Sequence, residues 1–265
     1  MKSMLMSTES VLIDDNGSVR CIRLNRPEKF NSFNRDMAIR LQNELHRAAS
    51  DDKVRAVLLT GEGKAFCAGQ DLGEAIDPSG PGIARIVGEH YNPIITALRE
   101  IPKPVVCSVN GVAAGAGANI ALACDIVLAA RSSVFIQAFS KIGLVPDSGG
   151  TWMLPRLVGF QRATALMMLG DKVSSGEAMQ MGMIYRVIED ESLHAEALSL
   201  AITLSEMPTK GLGMTKQLLN RSMSSSWQDQ LKAEGELQAL AGQTYDFAEG
   251  VKAFLEKRKP VFKGE

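Results

Sequence analysis

One stretch constrains this chain more than any other. Asn110-Gly-Val-Ala-Ala-Gly-Ala-Gly-Ala-Asn119 carries almost nothing but hydrogen and methyl side chains, and it lies between a strand-like run, Pro104 to Val109, and a helix-like run ending near Cys124. A strand that feeds straight into a helix through such small residues brings backbone N–H groups, and the positive end of the helix, within reach of a ligand. Such a site stabilises a negative oxygen. A second candidate donor lies in Lys64-Ala-Phe-Cys-Ala-Gly-Gln-Asp-Leu72, which follows another apolar strand, Val57 to Thr60. Two N–H groups converging on one oxygen form an oxyanion hole, and removing one such donor costs about 2.7–4 kcal/mol of catalysis in acyl chemistry.

The 265 residues are 45% hydrophobic, enough for a large core in one domain or a domain with a small appendage. Lysine and arginine nearly balance aspartate and glutamate, with a formal net charge of −1, so no global field draws the protein to nucleic acid or to an anionic membrane. Cys21, Cys67, Cys107 and Cys124 form no CxxC pair and read as small buried hydrophobes of a reducing compartment. The start, Met1 to Thr8, lacks the apolar core and cleavage site of a signal peptide. No run reaches the roughly 18 apolar residues of a membrane span. A cytoplasmic protein is expected.

The first half alternates strand and helix patterns. Strands are predicted over Ser18–Leu24, Val54–Thr60, Pro104–Val109 and Ile126–Ala130, and helices over Arg35–Ala49, Ile83–Ile101 and from Ile120. This alternation favours a parallel sheet covered by helices, with sites where strands feed helix N-termini. Asp77-Pro-Ser-Gly-Pro-Gly82 reads as a mobile lid or pocket wall. Beyond Thr151 helices dominate: Trp152–Val158, Arg162–Leu169, Ser175–Met181, Ser192–Glu206 and a long polar stretch from Ser224 to Glu256, interrupted by short strands at Val134–Gln137 and Tyr185–Ile188. Apolar positions left over in the C-terminal third suggest subunit contacts, and no repeat of fixed period is present.

Several chemistries fail on spacing. Gly115-Ala-Gly117 lacks the third glycine of a dinucleotide fingerprint and no Walker sequence occurs. His46, His90 and His194 stand far apart with no ligand-spaced partner, and each reads as a surface residue, with a pocket position open to His90. No nucleophile elbow supports a serine triad. Asp147, in Gly143-Leu-Val-Pro-Asp-Ser-Gly-Gly-Thr151, is the acidic residue that stands out. It serves either as the N-cap of the helix that follows, a role open to Ser148 as well, or as a proton-transfer group.

Taken together, Leu24-Asn-Arg-Pro27, Ala65 to Leu72, Lys103-Pro-Val-Val-Cys-Ser-Val-Asn-Gly111, Cys124-Asp-Ile126, Gly149-Gly-Thr151 and Gly250-Val-Lys-Ala-Phe-Leu-Glu-Lys-Arg-Lys259 resemble the crotonase (enoyl-CoA hydratase/isomerase) superfamily nearly end to end. The resemblance implies an α/β fold built as a spiral of ββα turns over residues 1–200, with a helical oligomerisation region over 201–265. It implies a homotrimer or a hexamer of two trimers, and an acyl-CoA thioester as substrate, so coenzyme A belongs to the substrate and no separate cofactor or metal is expected. It places the oxyanion hole on the backbone N–H groups of Gln70 and Ala116. Substrate contacts fall at Lys29, Phe30, Ala65, Ala68 and Asp71, with Phe254 and Lys257 near the nucleotide end. Tyr91, Gly117, Asn119 and Phe139 complete the candidate binding set.

Departures from the family pattern bear on the reaction. Where typical hydratases carry two glutamates this chain has Asn119 and Phe139, neither able to transfer a proton to or from water. Asp147 is the carboxylate that remains, and the resemblance extends to the members that isomerise a ring-epoxide arylacetyl thioester or shift a double bond from the 3- to the 2-position. The expected activity is therefore acyl-CoA isomerisation with Asp147 as the single proton shuttle. Phe139, Val145, Ile136 and Tyr91 are expected to form an apolar wall that raises the aspartate's pKa, or else to pack as ordinary core. Hydration assisted by His90 or Glu74, and a catalytically silent acyl-CoA-binding scaffold, are the alternatives. No basic stripe suits nucleic acid.

Overall fold

A computed structural model describes residues 9–265; the N-terminal octet read above lies outside them. An antiparallel hairpin opens the fold, β1 (Val11–Asn16) and β2 (Val19–Leu24), followed by α1 (Arg35–Ser50), which Asn34 caps by accepting the Met37 N–H. After α1 the chain winds in turns that each add one strand to a large sheet and one to a small sheet. The first turn is β3 (Ala56–Gly61), β4 (Ala65–Cys67) and the helices α2 (Leu72–Ile76), α3 (Gly82–Arg85) and α4 (Asn92–Glu100). The second is β5 (Val105–Val109), β6 (Val112–Ala114) and α5 (Ala116–Ala123); the third is β7 (Ile126–Ala130), β8 (Val134–Ile136), α6 (Gly150–Val158) and α7 (Phe160–Leu169). The chain continues through β9 (Lys172–Ser174), α8 (Ser175–Gln180), β10 (Arg186–Ile188) and α9 (Leu193–Ser205), then α10 (Thr209–Ser222), α11 (Trp227–Ala241) and α12 (Tyr245–Leu255).

The large sheet has the order β1-β2-β3-β5-β7-β10 and the small one β4-β6-β8-β9. Strands β3, β5 and β7 are covered on both faces, which is why they read as unbroken apolar runs. Between the two sheets and around them pack Phe33, Phe66, Phe135, Met37, Leu41 and Ile120, each sealed from solvent and each contributing about 1.5–3 kcal/mol for its burial. Helix α5 is buried on every side, which its run of alanines permits. All four cysteines are buried and free. No helix among the described residues is long and apolar enough to cross a membrane.

Two departures from the sequence reading concern helices. The helix expected over 83–101 exists, but Ile86–Tyr91 within it is wound as a π-helix. The long helix expected over 224–256 is two, because Thr244 caps a fresh start at Tyr245 by accepting the Phe247 N–H. Packing changes character beyond α9. Helix α9 lies on the large sheet through Leu193, Ala197 and Ala201, whereas α11 and α12 leave Trp227 at 71% and Phe254 at 83% exposure.

Candidate active site

Two strand ends of the small sheet meet at one place. Phe33 makes an isolated parallel bridge with Gln70: the Phe33 N–H donates to the Gly69 carbonyl at 2.7 Å, and the Asp71 N–H to the Phe33 carbonyl at 2.8 Å. In an extended segment successive peptides alternate direction, so these bonds turn the Gln70 N–H the other way, away from Phe33. Its side chain is also fixed. The Gln70 carboxamide accepts from the Tyr91 hydroxyl at 2.8 Å and donates to Glu74 at 2.8 Å.

The second donor comes from the stretch of tiny residues. Gly115 takes φ +54, a region open to glycine, and its N–H donates to the Ile136 carbonyl at 2.8 Å. Ala116 then begins α5, so its N–H is one of the unsatisfied donors of a helix start. Gly69 at φ +93 lets the two segments close up: a Cβ there would stand 3.0 Å from the Ala114 carbonyl oxygen and 3.7 Å from the Ala116 nitrogen. Among the described residues no protein acceptor takes the Gln70 or the Ala116 N–H.

Gln70 and Ala116 both line a chamber of about 240 Å³, together with Ala68, Tyr91, Phe139 and Asp147, the apolar Leu72, Ile83, Ile86, Val87 and Leu144, and Lys141. Asp147 is the one carboxylate in that lining. Burial pushes its carboxyl pKa up, with the Ser148 hydroxyl, which donates to Oδ1 at 2.8 Å, pulling the other way. Neither Asp147 nor Ser148 caps the following helix: the N-cap is Gly149, without a side-chain cap. The carboxylate therefore faces the chamber unengaged by the helix, and no salt bridge among the described residues involves it.

Other expected residues fall elsewhere. The Phe30 carbonyl accepts the Ala68 N–H at 2.9 Å, which sets the exposed Lys29 and Phe30 beside the chamber's edge. Ala65 is buried in β4. Asp71 caps α2 and pairs with Arg26 at 2.9 Å, which holds its carboxyl below the usual range, so it does not line the chamber. Gly117 is also outside it: its missing Cβ is what permits contact with Cys67, whose carbonyl oxygen would lie 2.3 Å from such an atom. Asn119 is buried beneath and bonds to the Asp147 carbonyl. Phe254 and Lys257 stand at the end of α12, away from the lining.

The expected wall holds for Phe139 and Tyr91 but not for Val145 or Ile136. Val145 is 81% exposed on the loop ahead of Asp147, and Ile136 does not reach the chamber from β8. Their places are taken by Ile83, Ile86 and Val87, which sequence reasoning missed. The π-turn explains this, because its extra residue brings Ile86 and Tyr91, five apart, onto the same inward face. It also buries His90, read above as a surface residue. His90 is sealed from solvent with Nε2 3.4 Å from Arg35, and burial lowers its pKa. The segment Asp77–Gly82 forms an exposed turn that does not line the chamber; α2 and α3 on either side of it do.

A larger cavity of about 920 Å³ lies at the opposite, N-terminal ends of β3 and β5, bounded by α10 and the C-terminal tail. It is basic, and three of its cations are held by protein acceptors. Lys216 reaches Asp125 at 2.7 Å, Lys103 donates to the Ala48 and Asp51 carbonyls at 2.7 Å each, and Arg55 donates to the Met207 and Phe262 carbonyls. Among the described residues no group of three or more His, Cys, Asp or Glu gathers in a metal-binding arrangement.

Comparison with known proteins shows the family and the fold. The family model described as enoyl-CoA hydratase/isomerase matches residues 14–265. A protein of Escherichia coli named 1,2-epoxyphenylacetyl-CoA isomerase is 48% identical over 97% of this chain and 99% of its own length. A probable enoyl-CoA hydratase of Rhodobacter capsulatus is 42% identical over 98% of this chain and all of its own. The crystal structure of a putative enoyl-CoA hydratase/isomerase from Mycobacterium abscessus superposes with a TM-score of 0.90 at 39% identity, covering 96% of this chain and 100% of that one.

Proposed function

The chain belongs to the enoyl-CoA hydratase/isomerase family, and on that premise we propose that it is a cytoplasmic acyl-CoA isomerase with Asp147 as its single proton shuttle. The observation that carries this reading is that Asp147 is the one carboxylate lining the chamber that Gln70 and Ala116, whose N–H groups have no protein acceptor, also line. In the proposed reaction the thioester carbonyl oxygen accepts hydrogen bonds from those two N–H groups. Negative charge that develops there is held by donors already in position. Polarisation acidifies the carbon next to the carbonyl, Asp147 removes its proton, and an enolate forms. The same carboxyl, now protonated, returns the proton at C4, and a 3-enoyl thioester becomes the 2-enoyl thioester. Atoms balance without water or cofactor.

A raised carboxyl pKa suits both halves of that cycle, since the base must also serve as an acid. The apolar lining of Ile83, Ile86, Val87, Leu144, Phe139 and Tyr91 favours a hydrocarbon or aryl acyl group. Together with the 48% identity to the epoxyphenylacetyl-CoA isomerase, it supports conversion of ring-1,2-epoxyphenylacetyl-CoA to the oxepin thioester as the physiological reaction. Hydration needs a second proton-transfer group. Its earlier candidates do not line the chamber: Glu74 holds Gln70 and the Arg35 N–H, and His90 is buried behind the wall. We further propose a homotrimer, single or paired, supported by the exposed apolar residues of α11 and α12, with Phe254 and Lys257 available to a neighbouring copy.

The test is to incubate the protein with a 3-enoyl-CoA in deuterated buffer and follow double-bond position and label by mass spectrometry. A 2-enoyl product, lost in Asp147→Asn while acyl-CoA binding persists, is expected. Hydrated product, or undiminished turnover in Asp147→Asn, would sink the reading.

A further inference from the structure

The geometry points to Asn119 as a positioning residue that locks Asp147 at a fixed place relative to the Ala116 N–H, an inference that rests on the isomerase reading above. Asp147 occupies an awkward turn. The next two residues, Ser148 at φ 52 and Gly149 at φ 71, are both left-handed, and a non-glycine residue takes that conformation only where its surroundings impose it.

The imposition comes from behind. The Asp147 carbonyl accepts two hydrogen bonds, from the Gly150 N–H at 2.9 Å and from Asn119 Nδ2 at 2.8 Å. Asn119 is 1% exposed, and its Oδ1 accepts from Gln137 Nε2 at 2.8 Å, so the carboxamide is held in one orientation with its donor toward Asp147. Gly150 makes room for it, because a Cβ there would lie 2.3 Å from Asn119 Nδ2. The register along α5 gives the contact its meaning. Ala116 is the first residue of that helix and Asn119 lies three residues on, one helical turn away. One rigid turn thus carries both the donor for the thioester oxygen and the clamp on the proton shuttle. The separation of the two groups is set by helix geometry, although Asp147 itself sits on a loop. Asn119 does not line the chamber, so it acts through Asp147 and not on the substrate.

Asn119→Ala should lower kcat for 3-enoyl-CoA isomerisation about 10- to 100-fold, the scale of a misplaced reacting group, with KM little changed. Asn119→Leu keeps the branching at Cγ with more bulk and no donor and should behave alike, which separates loss of the bond from the cavity left in the alanine variant. A loosened turn lets water reach the carboxylate, so the acid limb of the pH–rate profile should move to lower pH. Hydrogen exchange at the Gly150 amide should speed in both Asn119 variants whether or not the wild type turns over. Unchanged kcat and acid limb in an active wild-type background, or unchanged Gly150 exchange in any background, overturns the clamp. Absence of isomerisation by the wild type overturns the function proposed above, and leaves the exchange measurement to decide the clamp.

Discussion

Two cavities lie at opposite ends of the parallel strands, and the larger is the less reactive. In the basic cleft at the N-terminal ends, Lys216, Lys103 and Arg55 all have partners at hydrogen-bonding distance. In the chamber at the C-terminal ends two N–H groups lack a protein acceptor, a carboxylate is held above its usual pKa by burial, and a serine is forced into a left-handed turn. Lys216, Lys103 and Arg55 of the cleft tie the fold together; the Gln70 and Ala116 N–H groups of the chamber do not. What separates the site from a gap between elements is not volume but two open backbone donors on the same chamber as a destabilised acid.

If that contrast is sound, changes in the chamber should cost rate and changes in the cleft should cost stability. Asp147→Asn is the sharpest case, with turnover expected to fall about 10²–10⁴-fold, the worth of a general base. Its stability should move the other way. The folded pKa of Asp147 lies above the unfolded value of about 3.9, so its ionisation opposes folding. That cost is absent below the unfolded pKa, grows as pH rises toward the raised folded pKa, and is complete above it. Denaturant titrations at pH 3 and pH 7 should therefore show the variant gaining on the wild type only at the higher pH. The wild-type rate should fall as pH drops through the raised pKa, because the base becomes protonated. Gly69→Ala comes next. Its φ of +93 and the 3.0 Å approach to the Ala114 carbonyl force the Gln70 N–H out of line, and the rate should drop about 10²-fold, near the cost of losing one oxyanion donor.

Lys216→Met tests the other cavity. Removing the cation leaves Asp125 with only the Val105 N–H and a 3.5 Å contact to Arg99, and should cost about 2–3 kcal/mol, less than a fully buried pair because the Asp125 side chain keeps 20% exposure. Chemical denaturation should register that loss while kcat stays at the wild-type value. A matching loss of kcat would break the division between the two cavities.

The chamber was legible where it depends on what a segment cannot contain. Ala113 to Ala118 carry nothing larger than a methyl group, which permits close approach of backbone and marked the loop, while the family resemblance picked out Ala116 within it; the strands beside it are buried on both faces, and that marked the sheet. What depends on a shift of one residue was not legible. The π-turn at Ile86–Tyr91 has no compositional signature, so the burial of His90 and the inward turn of Ile86 had no signal in the sequence. The three-residue strands β4, β6 and β9 are too short to show a period, whereas β8 and β10, no longer, were legible through their β-branched and aromatic residues Val134, Phe135, Ile136, Val187 and Ile188. Helix α10 hides behind Gly211 and Gly213, the latter demanded by the Pro102 carbonyl, which would stand 2.5 Å from a Cβ. Asn119 was visible as a missing glutamate; its bond to the Asp147 carbonyl links residues 28 apart and needed the fold to bring them together.

Val145 carries the smallest prediction and the one that tests the chamber's edge. It lies two residues before Asp147, and an apolar residue so near a buried carboxylate invites assignment to the wall that desolvates it. In the structure it points into solvent at 81% exposure, and the desolvation comes instead from residues such as Phe139, Leu144 and Tyr91. Val145→Ala should therefore leave stability within about 0.5 kcal/mol, the usual range for a surface change. The pH at which the rate falls on the acid side should not move. Leu144→Ala, one residue earlier and in the lining, should move that limb to lower pH by admitting water to the carboxylate. If Val145→Ala shifts the limb and Leu144→Ala does not, the loop ahead of Asp147 closes over the chamber in solution, and the boundary drawn here between wall and surface falls one residue out of place.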